Sequence, residues 1–243
     1  MRLLLALAAS VLTLSAPIAS AQILPGGSVH LAWDDCFAGG AGGASSKSFA
    51  CDTDQGGAFH LFASVVPPEG ITEYIGSYAV IDFQFDSGTV PDWWRLGTCR
   101  SLSSITAAPA ALETSCPDLT SDPQYGGIEF APSPSRTNHM RLRTVFATRL
   151  EDAGPLPTTT EHTLLRIAID RRNTGGASGC ADCPISACIV FQLALLDQID
   201  QQLPKGIITT GDQQFVFWQN SSVGCVALPT RPRTWGQIKS LYR

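Results

Sequence analysis

Residues 78–86, "YAVIDFQFD", decide the fold. Ile81, Phe83 and Phe85 fall on one side of an extended chain, with Asp82, Gln84 and Asp86 on the other. Successive side chains of a strand point to opposite faces, so this alternation predicts a half-buried strand rather than a helix. The pattern recurs further along the chain. In 139–148, "HMRLRTVFAT", Arg141 and Arg143 oppose Met140 and Leu142. In 162–172, "HTLLRIAIDRR", Leu165, Ile167 and Ile169 oppose Arg166 and Asp170. "GSVHLAWDDC" (27–36) reads as a first strand ending in acids, and "AFHLFASVVPP" (58–68) as a second stopped by Pro67-Pro68. "IITT" (207–210) and "QQFVFWQ" (213–219) read as closing strands.

One apolar run, 188–199 "CIVFQLALLDQI", is ambiguous. It is apolar enough for a central strand, yet Leu193, Leu196 and Ile199 also fit helical spacing. No other segment carries a helical pattern of twelve or more residues, and 22 Gly with 16 Pro make turns frequent. Strands separated by Gly/Pro turns, without alternating helices, predict an all-β protein. The expected architecture is a disulfide-stapled antiparallel β-sandwich of the jelly-roll or immunoglobulin-like kind. Ser101–Asn138, rich in Ser, Pro, Ala and Thr, is expected to be a long excursion from it.

The N-terminus sets the compartment. Arg2 precedes an apolar run from Leu3 to Leu14, and Ala19 and Ala21 supply a small-residue cleavage pattern, so 1–21 reads as a signal peptide cut before Gln22. The run is too short for a membrane span, and nothing after residue 24 resembles one. A single domain is expected over 22–226, since no charged or low-complexity linker cuts that stretch. The mature chain carries 15 basic against 21 acidic residues, a charge of −6. That balance argues against nucleic acid, whose phosphates require clustered Lys and Arg.

Export makes disulfides the expected state of the eight cysteines. Cys36 and Cys51 flank a Gly-rich loop, and Cys99 and Cys116 flank a second loop, so each pair is expected to close its own. Loops of that size gain roughly 3 kcal/mol from closure. Cys180, Cys183, Cys188 and Cys225 then make the remaining two bonds, with three connectivities open. A zinc knuckle would need a second C-x-x-C pair, and a thioredoxin-like "CADC" would need a strand–helix–strand setting; neither is visible.

Three groups of residues are candidate sites. Asp34-Asp35 precede Cys36, and Asp52 and Asp54 follow Cys51, so a Cys36–Cys51 bond would condense four carboxylates. Hard oxygen ligands at alternating positions before glycine suit Ca2+, and the expected ligands are Asp34, Asp52 and Asp54 with help from Asp35. A solvated acidic turn is the alternative, because "DTDQGG" has no acid at the twelfth loop position. Trp93 and Trp94, in a turn opened by Pro91, form a candidate platform for sugar rings or peptides, although adjacent side chains diverge and one should be core. No other cofactor is implied.

The third group is the tail, 227–243 "ALPTRPRTWGQIKSLYR". It carries +4 against −10 for the mature chain before it. Pro229 and Pro232 make an extended connector, and Trp235, Ile238, Leu241 and Tyr242 share part of a short helix. Trp235, Ile238 and Tyr242 are expected either to dock on the chain's own domain or to serve a sorting role in the envelope.

The layout "LAWDDC…ACDT…PDWW…CR…GCADCPISACIV…TWGQIKSLYR" resembles that of secreted bacterial proteins of unknown function that end in T-W-G-x-[IV]-K-x-L-Y-R. The resemblance covers most of the mature chain and implies export and a shared domain; no activity, ligand or catalytic residue comes with it.

The chain lacks G-x-S-x-G, S-x-x-K and H-E-x-x-H, and His30, His60, His139 and His162 are scattered. The expected function is therefore a secreted or cell-envelope, non-catalytic module that binds a glycan, a protein or a surface. The alternative is a secreted polysaccharide hydrolase using carboxylates among Asp34, Asp35, Asp52, Asp82 and Asp86. Asn220-Ser221-Ser222 matches a glycosylation acceptor.

Overall fold

The computed structural model describes residues 23–38, 42–109, 114–176, 179–200, 205–211, 213–220 and 225. The expected signal peptide and the tail residues Trp235, Ile238 and Tyr242 lie outside them. The described chain is all-β. Its strands are β1 (Ile23–Leu24), β2 (Ser28–Trp33), β3 (Ser46–Lys47), β4 (Phe59–Val66), β5 (Tyr74–Phe85) and β6 (Ile105–Ala108). They continue with β7 (Tyr125–Pro132), β8 (His139–Ala147), β9 (His162–Ile169), β10 (Ala187–Gln198), β11 (Lys205–Ile208) and β12 (Phe215–Trp218). An eight-stranded sheet runs β1-β11-β10-β5-β8-β7, with β12 beside β10 and β3 beside β12; a four-stranded sheet runs β2-β4-β9-β6.

The sheets pack face to face as a sandwich. The large sheet contributes Ala79, Ile81, Phe83, Phe85, Met140, Leu142, Ile189 and Phe191 to one apolar core, and the small sheet contributes Val29, Leu31, Leu61, Ala63, Leu165, Ile167 and Ile169. The alternations that predicted β5, β8 and β9 therefore carry the core. All pairings among the longer strands are antiparallel; parallel pairing between strands occurs at β1–β11 and β12–β3 at the margins, with isolated parallel bridges at Leu96–Arg100 and Asp118–Thr163.

The ambiguous run 188–199 is a strand. Ile189 and Phe191 face the core, a register shift falls between Phe191 and Leu193, and Ala194 and Leu196 then face the core. A bulge inserts one residue and flips the parity of everything after it. Of the three residues at helical spacing, Leu196 alone is in the core, while Leu193 is half-buried and Ile199 is exposed.

Ser101–Asn138 is less irregular than expected, because it contributes an edge strand to each sheet, β6 and β7. Neither alternates strongly in sequence, since an edge strand needs only half its contacts to be apolar. The expected bonds Cys36–Cys51 and Cys99–Cys116 are also replaced. The disulfides are Cys36–Cys116, Cys51–Cys183, Cys99–Cys180 and Cys188–Cys225, with Cα–Cα distances of 5.7–6.1 Å. No cysteine is free. The cluster in 180–188 thus anchors three separate segments: 99 after the Trp turn, 51 after β3, and 225 beyond β12. Sequence neighbours flank loops whose ends lie against different strands, so each cysteine meets the thiol nearest in space.

Four disulfides imply an oxidising compartment. Among the described residues no helix is long and apolar enough to cross a membrane.

Candidate functional site

Both tryptophans of the expected platform are buried, at 0% exposure. Pro91 opens a 3-10 turn, Asp92–Trp94, that tucks between the sheets; the Trp93 amide donates to the Ala181 carbonyl at 3.0 Å. The two rings do not diverge but meet edge to face at 4.9 Å, and both lie in the core. Trp93 stacks on Trp218 at 5.1 Å, and Trp94 meets Phe83 and Phe85 at 5.3 and 5.5 Å. The Arg100 guanidinium lies 3.7 Å above the Trp93 ring and donates to the Trp93 and Asp170 carbonyls. An indole enclosed on both faces offers no surface to a ligand, so Trp93 and Trp94 are core residues rather than a binding platform.

The acidic turn is dispersed as well. Cys36 and Cys51 lead to different partners, so the bond that was to gather the carboxylates does not exist. Asp34, left-handed at φ 68° where β2 ends, pairs with Lys47. Asp35 accepts from the Ser115 amide at 2.9 Å and from its hydroxyl. Asp54 accepts from the Thr174 and Gly175 amides at 2.6 and 2.7 Å. The premise for calcium at Asp34, Asp52 and Asp54 therefore fails. Asp82 of the hydrolase set is likewise committed, held by Arg141 in a two-pronged pair at 2.5 and 2.7 Å. Among the described residues, one group of three possible metal ligands lies within 4.8 Å: Cys36, Cys116 and Glu161. Both sulfurs are spent in a disulfide, and Glu161 accepts from the Phe37 and Ala38 amides at 3.1 and 2.6 Å and from the Ser64 hydroxyl.

A different concavity gathers chemistry. A cleft of about 370 Å3 opens where β5 and β9 begin, walled by segments 118–122 and 152–157. Asp118, Asp122 and Asp152 line it together with Thr120 and Ser121, and Leu119, Pro155, Leu156 and Pro157 form its apolar side. The walls are anchored by backbone. The Leu119 amide donates to the Thr163 carbonyl at 3.1 Å and the Thr163 amide to the Pro117 carbonyl at 2.9 Å. The Tyr74 amide donates to the Gly154 carbonyl at 2.8 Å, and the Leu156 amide to the Ile71 carbonyl at 3.1 Å. Cys36–Cys116 pins the first wall two residues before Asp118. The 3-10 turn Leu150–Asp152 delivers Asp152 to the second.

Two buried groups close the floor. The Tyr74 hydroxyl donates to Gln124 Oε1 at 3.1 Å, and burial pushes its pKa up to about 12, against a weaker opposing bond from Ser77. It stays a neutral donor throughout the physiological range. His162 Nδ1 donates to the Asp118 carbonyl at 3.1 Å, because a carbonyl can only accept. Nε2 then accepts from the Thr160 hydroxyl at 2.8 Å. Through these two bonds the buried His162 ties Asp118 of one wall to Thr160 just before β9. The cleft thus offers carboxylate and hydroxyl acceptors beside an apolar wall, the mixture that holds hydroxyl-bearing or cationic ligands.

Sequence reasoning missed this site. "PDLTSDPQ" and "EDAGPLPT" are ordinary turn sequences, about thirty positions apart, and neither has a local pattern that points to the other. Their proximity follows from β5 and β9, strands of different sheets, beginning at the same end of the sandwich.

Fold and site define a class: a two-sheet, disulfide cross-linked β-sandwich with an acid-rimmed cleft at one end. No family model, curated protein or solved structure matches the chain.

Proposed function

We propose that the protein is an exported, non-catalytic binding module whose ligand seats in the cleft between 118–122 and 152–157. The observation that carries this reading is the convergence of Asp118, Asp122 and Asp152 with Thr120 and Ser121 beside an apolar wall of Leu119, Pro155, Leu156 and Pro157. Paired carboxylates are also what a glycoside hydrolase uses as acid and base, so turnover is the measurement that separates the two readings. Carboxylates and hydroxyls beside prolines suit the hydroxyls and apolar ring faces of a glycan, or the basic side chains of an envelope polypeptide. Export follows from the N-terminal pattern, with the mature chain starting at Gln22. The tail 227–243 is an attachment or docking element.

A glycan array and a polysaccharide hydrolysis screen on the mature protein test this directly. Binding without turnover is expected, and Asp122→Asn with Asp152→Asn should abolish it while leaving the melting temperature unchanged. Released sugar would overturn the reading in favour of the hydrolase. Deleting 229–243 addresses the tail: relocation at constant melting temperature marks sorting, whereas destabilisation in place marks docking on the domain.

A further inference from the structure

The large sheet ends in an open edge. The Ser133 amide donates to the His139 carbonyl, which sets the phase of the β7–β8 ladder. In an antiparallel pair, every second residue points both its N–H and its C=O at the neighbour. Residues 125, 127, 129 and 131 therefore face β8, and Gly126, Ile128 and Phe130 present theirs to the free side. No described strand pairs there. Pro132, next in that series, has no N–H and ends the pairing row. Beside the edge lies a groove of about 260 Å3 lined mainly by Leu102, Ile105, Ala107, Ile128 and Phe146, with the polar Thr106 among them.

Such an edge is a template for another strand unless it is blunted, and among the described residues of β7 the blunting features are Glu129, already paired with Arg143, and Pro132 at the end. The sequence of β7 is complementary to itself. Pairing Ile128 with Ile128 of a second copy about a two-fold axis sets Gly126 opposite Phe130, and Phe130 opposite Gly126, on the core-facing side. A strand glycine leaves a gap that an aromatic ring across the pair can cover. Gly126 has to be glycine, because a Cβ there would fall 1.8 Å from the Val145 carbonyl oxygen. On the outer face the same register sets Gly127 opposite Glu129, whose charge is already matched by Arg143 at 2.7 Å. Like charges therefore never meet directly.

We propose that the protein forms a two-fold dimer by antiparallel β7–β7 pairing, which joins the two large sheets into one and closes both grooves on their apolar linings. The interface is isologous, as two-fold symmetry requires. It is independent of the cleft.

Sedimentation equilibrium of the mature chain tests it, with charge variants at Gly127, where an added side chain meets open space. Gly127→Glu would face Glu129 of the other copy, and Gly127→Lys would pair with it. Two symmetry-related contacts of ordinary cross-strand strength should raise the dimer Kd about fivefold for Glu and lower it about fivefold for Lys. Monomer melting temperatures should match. A chain that stays monomeric near 1 mM, roughly the weakest association ordinarily counted as binding, overturns the dimer and leaves the edge to a different polypeptide. A dimer indifferent to both substitutions places its interface elsewhere and overturns the β7 pairing.

Discussion

Arg100 is 1% exposed and takes carbonyl oxygens rather than a carboxylate as its direct partners. Burial pushes its pKa down to about 10, partly offset by nearby Asp170, so it remains charged at neutral pH. The ring of Trp93 and two carbonyls replace part of its lost water, while Nε is buried without a partner. Arg100→Ala should therefore cost about 3 kcal/mol, since it strands both carbonyls and uncovers the indole. Arg100→Lys should recover only part, because an ammonium lacks the planar fork that spans the two acceptors; chemical denaturation reads both. His139 carries the opposite lesson. Its Nδ1 is buried without a partner, and burial first, then Arg136 and Arg141, hold its pKa below 6.5 against the pull of Asp82. The unfolded chain protonates near 6.5 while the folded chain resists, so stability is full above that value and falls as the medium is acidified through it. His139→Gln should flatten the stability profile between about pH 7 and pH 5; an unchanged slope would assign the effect to other groups.

Strands gain their shape from departures as much as from pattern. The bulge at Gln192 lets β10 run twelve residues while presenting Ile189 and Phe191, then Ala194 and Leu196, to the same core. In β7 two adjacent glycines differ entirely. Gly126→Ala would press a methyl into the Val145 carbonyl and force β7 from β8, a loss of about 2 kcal/mol. Gly127→Ala meets nothing within 4 Å and should be neutral. A measurable fall in melting temperature for the first and none for the second is the expected result. If both were neutral, β7 would be held more loosely than the ladder implies.

The disulfides tie the molecule together across its length. Three of them close separations of 80, 81 and 132 residues, for which chain entropy gives roughly 4–5 kcal/mol apiece. Their combined effect exceeds the net stability of an ordinary domain, about 5–15 kcal/mol, or nearly equals it. Full reduction of the mature chain should therefore unfold it at room temperature, read as loss of the buried tryptophan fluorescence. Thiol titration in denaturant without reductant should find no free thiol. Peptide mapping should recover Cys36–Cys116, Cys51–Cys183, Cys99–Cys180 and Cys188–Cys225, whereas a Cys36–Cys51 peptide would refute the assigned framework.

The sequence alone determined most of the core strands and the pairing of the cysteines as a set. Alternation over 78–86, 139–148 and 162–172 is a local property, dictated by the two-residue period of extended chain and by the need to bury one face. Eight cysteines behind an export pattern likewise required pairing without regard to geometry. Tertiary structure decided the rest. Which cysteine meets which depends on strand ends brought together over 80 residues or more, and adjacency in sequence carries no information about that. Whether Trp93 and Trp94 face water depends on where a three-residue turn is tucked, and an indole is apolar enough for the core whenever space exists. The cleft of Asp118, Asp122 and Asp152 exists only because β5 and β9 begin side by side, a neighbourhood fixed by long-range packing and invisible to any local pattern.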